Sequence, residues 1–167
     1  MANDVDITML DKIESISIID GCSMLTEKFK SEKDFITNLL PKVSTIIKAM
    51  YGYDVVSIET EKFFNFKVHG YYNIKYDIFI RTKQGQDIVI ECKNPIHEKA
   101  ETFGAISQIM SYLFIINQYT SETRKPKVIL ATSRVEFYLF EVMAMFNVKA
   151  DVILNNERSA AFWINNI

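Results

Sequence analysis

The chain has only two cysteines in 167 residues, Cys22 and Cys92. They lie far apart, and no Cys or His pair has zinc-ligand spacing. A disulfide framework and a zinc site are both excluded, and a reducing, cytoplasmic location is expected. No apolar run approaches the ~20 residues that a membrane-spanning helix needs, so no membrane association is expected. The first residues carry Asp4, Asp6 and Asp11 and lack the basic-then-apolar pattern of a secretory signal. An excess of basic charge is also missing: 19 Lys and Arg stand against 21 Asp and Glu, a net charge of −2. No global field therefore draws the chain to nucleic acid, which counts against a nonspecific coat protein but leaves room for a local basic groove. Repeats and low-complexity segments are absent. What remains is 49% apolar and 24% charged, an ordinary single globular domain over residues 1–167 with enough length for a core.

The most informative stretch is Asn73 to Lys93. Two apolar runs, Ile78 to Ile80 and Ile88 to Ile90, flank a polar turn with Gly85, which predicts a β-hairpin. A three-residue loop, Lys83-Gln84-Gly85, pairs Thr82 with Gln86 and gives Gly85 the left-handed conformation that such loops want. That register sets Asp77 opposite Glu91. Glu91 and Lys93 share a face by strand alternation, and Cys92 takes the other. A one-residue slip would move Asp77 to the wrong face. The turn chemistry thus predicts that Asp77, Glu91 and Lys93 cluster at the end of the hairpin far from its loop.

An Asp followed by Glu-x-Lys at the end of an apolar strand resembles the PD-(D/E)XK nuclease superfamily. Gln108-Ile-Met-Ser-Tyr112 downstream is similar to the Gln-x-x-x-Tyr motif of its RecB-type members. The order of a helix opened by Ser31-Glu32-Lys33-Asp34, then Tyr51-Gly52-Tyr53, then the hairpin, is similar to the N-terminal nuclease domain of type I restriction R subunits. Tyr76 stands where that family often has Pro. The Gly-rich phosphate loop of the R-subunit motor is absent. The resemblance spans roughly Ser31 to Ser133. It implies an α/β, restriction-endonuclease-like fold, a central mixed β-sheet flanked by helices, with a nuclease-like core at about 31–142 and additions at both ends. It also implies a magnesium- or manganese-dependent nuclease in restriction, defence, repair or mobile-element biology. Asp77 and Glu91 would bind the metal with the backbone carbonyl of Cys92, Glu32 would be an additional metal acid, Lys93 would be catalytic and Gln108 would assist. The implied substrate is DNA, with RNA left open. A homodimer or a larger restriction or defence complex is the implied assembly, since cutting both strands of a duplex with one site per chain is simplest in pairs.

The rest of the chain is read in order. Asp6 to Asp20 mixes helical and alternating patterns and is given as a helix. Ser31 is an N-cap with Asp34 three residues on. Phe35, Ile36, Leu39, Leu40, Val43, Ile46, Ile47 and Met50 recur at helical spacing. Pro41 inside that pattern is expected to kink or split the helix, and Gly52 to stop it. Val55 to Phe66 reads as a strand with Val56 and Ile58 facing in, and Glu59 and Glu61 as its solvated end. Phe63, Phe64, Phe66, Tyr71 and Tyr72 interleave with Lys62, Lys67, His69 and Lys75, either as core with a snorkelling rim or as a nucleic-acid contact. A helix from about Glu98 to Asn117 is expected to bury Phe103, Ile106, Met110 and Leu113. Gly104, Gln108 and Tyr112 would lie on its other side, where small Gly104 and Ala105 admit a close approach. Lys127 to Thr132 reads as a buried strand. Val135 to Val142 alternates less cleanly, and Ala160 to Ile164 packs Trp163 against the body. Tyr112, Lys99, Arg124 and Lys125 are the candidate nucleic-acid contacts.

Two carboxylates suit magnesium, which takes one or two of them and keeps several waters. The same three charges could instead be a cross-strand salt bridge that does little, and Glu32 a solvated helix N-terminal acid. The rival function is a catalytically inactive nuclease-fold module that binds DNA or a protein partner.

Overall fold

The structure is a computed structural model that describes residues 7–9, 29–67, 71–94, 100–121, 125–134, 137–157 and 160–165. Its elements are β1 (Ile7–Met9), α1 (Glu32–Tyr51), β2 (Val55–Lys67), β3 (Tyr71–Thr82), β4 (Asp87–Lys93), α2 (Ala100–Tyr119), β5 (Lys127–Thr132), α3 (Phe137–Met145), β6 (Asp151–Asn155) and β7 (Ala160–Trp163). The strands form one 7-stranded mixed sheet in the order β1-β7-β6-β5-β4-β3-β2. The β4–β5 and β5–β6 pairs are parallel and the others antiparallel. The parallel pairs follow from the helices between their strands, since a parallel return needs a crossover. The coarse class is α/β, a mixed sheet flanked by helices.

Each face of the sheet has its own core. On one, Phe35, Leu39, Val43, Ile46, Ile47 and Met50 of α1 cover Ile78, Ile80, Ile88, Ile90, Cys92, Ile129 and Ile153. On the other, Ala105, Ile106, Ile109, Tyr112 and Ile116 of α2 pack with Leu139, Val142 and Met143 of α3 over Val89, Val128, Leu130 and Val152. Helix α1 forms as its sequence directs. Ser31 Oγ accepts from the backbone N–H of Asp34 (3.1 Å), and Gly52 closes the helix at φ 73° with its N–H on the Lys48 carbonyl. The Lys42 ammonium fastens α1 to the sheet by donating to Asn38 Oδ1, Asn155 Oδ1 and the Asn156 carbonyl at 2.8–2.9 Å.

The expected hairpin register is present. Ile78 pairs with Ile90 and Arg81 with Asp87. Gly85, at φ 81°, donates its N–H to the Thr82 carbonyl, and Thr82 Oγ1 accepts from the Gln86 N–H at 3.0 Å. The predicted strand at Lys127–Thr132 is found with those bounds.

Several expectations need correction. Residues 7–9 are a strand that pairs with β7, not part of a helix; residues 10–28 lie outside the described residues. Helix α1 is not split at Pro41 but runs from Glu32 to Tyr51 as one helix. The carbonyl that Pro41 deprives of a donor belongs to Thr37, and both residues face solvent, where water can satisfy it. Val56 is 67% exposed because it is the extra residue of a bulge between Val55 and Ser57, which lets Val55 and Ile58 both face α1. Strand β2 is found within a residue of its expected bounds, at Val55–Lys67, but Glu59 and Glu61 lie inside it rather than at its end. Helix α2 exposes Phe103 and Met110 and turns its Ile109, Tyr112 and Ile116 side to the sheet. A Cβ built on Gly104 meets nothing within 4 Å, so no close approach occurs there. Phe137–Met145 is a helix, and the C-terminal stretch supplies two strands, β6 and β7, to the one sheet rather than an appended segment.

A feature that alternation does not predict lies between β2 and β3. Ile58, Ile78 and Ile80 face α1, yet Phe64, Ile74 and Tyr76 face α2. The pairing stays in register across this change: Thr60 opposes Ile78 and Lys62 opposes Tyr76. Both strands therefore turn over together at the one missing pair, Glu61 and Asp77. Glu61 marks the place with φ 53°.

Candidate active site

The site forms where β3 turns over beside the end of β4. Because of that turn, Asp77 does not simply stand on the face of Glu91. Its carboxylate points sideways, and Oδ2 accepts the backbone N–H of Cys92 at 2.8 Å. The β3–β4 ladder ends one pair earlier, at Ile78 and Ile90. The expected register thus stands, and its last step is replaced by a side-chain bond. The N–H and carbonyl of one strand residue point to the same edge, so the Cys92 carbonyl is on the Asp77 side.

Glu91 is only 1% exposed, with its side chain on the α2 face. Burial, then the negative charge of Asp77, pushes its pKa from the ordinary 4.5 to about 7, despite the opposing pull of Lys93 and Tyr112. Lys93 Nζ lies 2.7 Å from Glu91 Oε1 and 4.0 Å from Glu32 Oε2. The Lys93 ammonium is thus the charged partner of the buried Oε1. For Lys93, burial would lower the pKa, but Glu91, Glu32 and Asp77 outweigh it and raise it. The ammonium is therefore charged at neutral pH. The Cys92 thiol is buried on the α1 side, and burial followed by the Asp77 charge raises its pKa well above the usual thiol range. It is no nucleophile.

Helix α2 supplies a second layer. Tyr112 Oη lies 3.0 Å from both Glu91 Oε2 and the Lys75 carbonyl, and Gln108 Nε2 donates to it at 2.6 Å. One hydroxyl proton serves only one of its two acceptors at a time. Burial, then the Glu91 charge, raises the Tyr112 pKa, so it stays a donor. Gln108 therefore reaches Glu91 only through Tyr112. Tyr112 is 6% exposed with its ring edge-on to Tyr76, so no base can stack on it. Lys125 stands apart from the carboxylates. Its carbonyl accepts from Gln86 at the loop end of the hairpin, about 16 Å of strand from Glu91. Lys99 and Arg124 lie outside the described residues. Glu32 opens α1 and borders the site without joining the Asp77–Glu91 pair.

Among the described residues, no group of three or more His, Cys, Asp or Glu side chains is placed to hold a metal. A metal here would rest on two carboxylates, a backbone oxygen and water. That donor set suits magnesium, which needs no all-protein cage, and it suits a transition metal with His or Cys preference poorly. Glu91 Oε1 would have to be shared between such an ion and the Lys93 ammonium that holds it.

Two residues of the interleaved aromatic and basic stretch, Phe63 and Lys75, are exposed and face each other across β2 and β3; the sequence left them open between core and nucleic-acid contact. No helix is long and apolar enough to cross a membrane among the described residues. No family model matches the chain, no curated protein matches it as a relative, and no solved structure matches it.

Proposed function

We propose that this chain is a metal-dependent nuclease of the restriction-endonuclease-like, PD-(D/E)XK type, which hydrolyses phosphodiester bonds in DNA. The observation that carries the reading is Glu91, a buried carboxylate held by the Lys93 ammonium and the Tyr112 hydroxyl and set beside a second carboxylate, Asp77. A salt bridge that only stabilised the fold would need Glu91 and Lys93 but not the second carboxylate, Asp77. Like-charge repulsion and desolvation both oppose folding, and such costs concentrate at functional sites.

Asp77, Glu91 and the Cys92 carbonyl would hold magnesium or manganese. When bound, the ion supplies charge to polarise a phosphate and a water of lowered pKa. The chain's own groups do the rest. Cys92 N–H fixes the Asp77 carboxylate. Tyr112, steadied by Gln108, orients Glu91 Oε2. Lys93 is protonated, and its ammonium can stabilise charge that grows on the attacked phosphate. Glu32, within 4.0 Å of Lys93, helps keep it charged.

The test is cleavage of plasmid, linear and single-stranded DNA with magnesium by the parent chain and by Lys93→Met. The parent should cut. The variant should bind magnesium and DNA within a few-fold of the parent and cut about 100-fold more slowly, the scale of losing one preorganised donor. Equal cleavage by both proteins would end the assignment for this site. No cleavage by either, with magnesium bound normally, would favour an inactive DNA- or protein-binding module.

A further inference from the structure

Phe63 is 62% exposed in the middle of a strand, and its cross-strand partner is Lys75. Single exposed apolar residues are common and need no explanation. Two facts set this one apart. The first is its side of the sheet. Flanking residues Phe64, Ile74 and Tyr76 are drawn under α2 by the turnover at Glu61 and Asp77, so Phe63 and Lys75 face the opposite way. Helix α1 begins only at Glu32 and does not cover them. The second is continuity with the site. Lys75 is two residues from Asp77, about 7 Å along the strand, and its carbonyl is a partner of Tyr112. Glu32 and Lys33 in the first turn of α1 lie close enough to act on Lys75 and Glu61 electrostatically.

Lys75 Nζ lies 2.8 Å from Glu61 Oε1, with side chains 43% and 69% exposed. An exposed pair of this kind is weak, and a phosphate can take the place of the carboxylate. A flat aromatic ring beside a displaceable ammonium has the chemistry of a nucleotide contact: the base stacks and the phosphate pairs. A base inside a duplex already has neighbours on both faces. Only an unpaired nucleotide can present its face to Phe63.

We propose that Phe63 and Lys75 bind an unpaired DNA nucleotide next to the cleavage site, its base on the Phe63 ring and its phosphate on the Lys75 ammonium. This rests on the nuclease reading above and adds a preference for single-stranded or frayed DNA.

The experiment measures binding of a labelled single-stranded oligonucleotide, and of a blunt duplex of the same sequence, in magnesium with Lys93→Met as the background. Phe63→Ala should weaken single-strand binding about ten-fold, the scale of one lost stacking contact, and change duplex binding less than about two-fold. Phe63→Trp should restore single-strand binding. Lys75→Ala should weaken binding and reduce the slope of log affinity against log salt by about 0.7, the value for one phosphate contact to a single strand. Melting temperatures should stay near that of the background, since both side chains are exposed. Unchanged single-strand affinity in Phe63→Ala, or equal loss on both substrates, overturns the proposal. If the parent cuts DNA in either case, the nuclease reading survives. If the background binds no DNA and the parent cuts none, both fall.

Discussion

Glu91 is the residue whose replacement should stabilise the fold while removing its chemistry. Its folded pKa of about 7 lies above the ordinary 4.5. Below pH 4.5 the side chain is neutral in both states and folding bears no cost. As pH rises from 4.5 to 7 the unfolded chain releases the proton first, and native stability falls by ~1.36 kcal/mol per unit. Above pH 7 the full cost, about 3 kcal/mol, is present. Because Glu91 is 1% exposed, solvent screening does not reduce it greatly. Glu91→Gln keeps the shape, removes the charge and retains an oxygen for Tyr112 to donate to. It also leaves Lys93, with a side chain 25% exposed, without its nearest anion, which should offset the gain by ~1–2 kcal/mol.

The net expectation is that Glu91→Gln gains about 1–2 kcal/mol at pH 8 without metal. For a chain of this size that is a rise in melting temperature of about 3–6 °C. At pH 5 parent and variant should agree more closely. Burial also raises the pKa of Asp87, but both proteins share that contribution, so their difference isolates Glu91. The assay is thermal unfolding followed by near-ultraviolet circular dichroism at several pH values between 5 and 8.5, with chelator. Parallel curves for the two proteins, or a variant less stable than the parent at pH 8, would refute the claim that Glu91 is held at a cost to the fold.

Magnesium or manganese should raise the melting temperature of the parent above pH 7, by linkage to the folded state, and Asp77→Asn should abolish most of that shift; an equal shift in the variant would place the metal elsewhere. Tyr112→Phe removes the donor to Glu91 and leaves a buried acceptor, which should cost about 1–3 kcal/mol of stability in urea titrations and move the alkaline rise of cleavage to higher pH. Gln108→Ala should slow cleavage with less loss of stability than Tyr112→Phe, because the half-buried amide touches Glu91 only through Tyr112; a variant that unfolds but keeps its activity per folded molecule would make Gln108 structural. Pro41→Ala should raise stability by up to about 3 kcal/mol in the same titrations, since Pro41 lies exposed inside α1, where Pro costs about that much against Ala; no gain would mean that α1 bears no cost from Pro41.

The hairpin was legible because two local rules agreed. Gly85 needs a left-handed position, and Ile78, Ile80, Ile88 and Ile90 need one buried face. Only a register with Asp77 opposite Glu91 satisfies both. Helix α1 was legible for the same reason: Ser31, Asp34 and Gly52 mark its ends, and Phe35, Leu39, Val43 and Ile46 fix its face. Helix α2 was not. Phe103, Met110 and Phe114 are as apolar as Ile106, Ile109 and Ile116, so periodicity could not choose the buried side. Tertiary packing chose it, and that choice carried Tyr112 under the sheet and onto Glu91.

The turnover at Glu61 and Asp77 shows the limit more sharply. Ile74, Tyr76, Ile78 and Ile80 alternate without interruption in the sequence and read as one face. In the fold the first two lie under α2 and the last two under α1. No pairing pattern changes, because β2 compensates at Glu61. A single residue out of step frees the Asp77 side chain from both faces and aims it along the sheet at Cys92. Straight alternation would have set Asp77 flat beside Glu91, two buried like charges in line. The turnover instead brings Asp77 to Glu91 from the side, still near enough to raise its pKa. The irregularity that the sequence hides is therefore what gives the two carboxylates different directions, Asp77 towards the Cys92 N–H and Glu91 towards the Tyr112 hydroxyl.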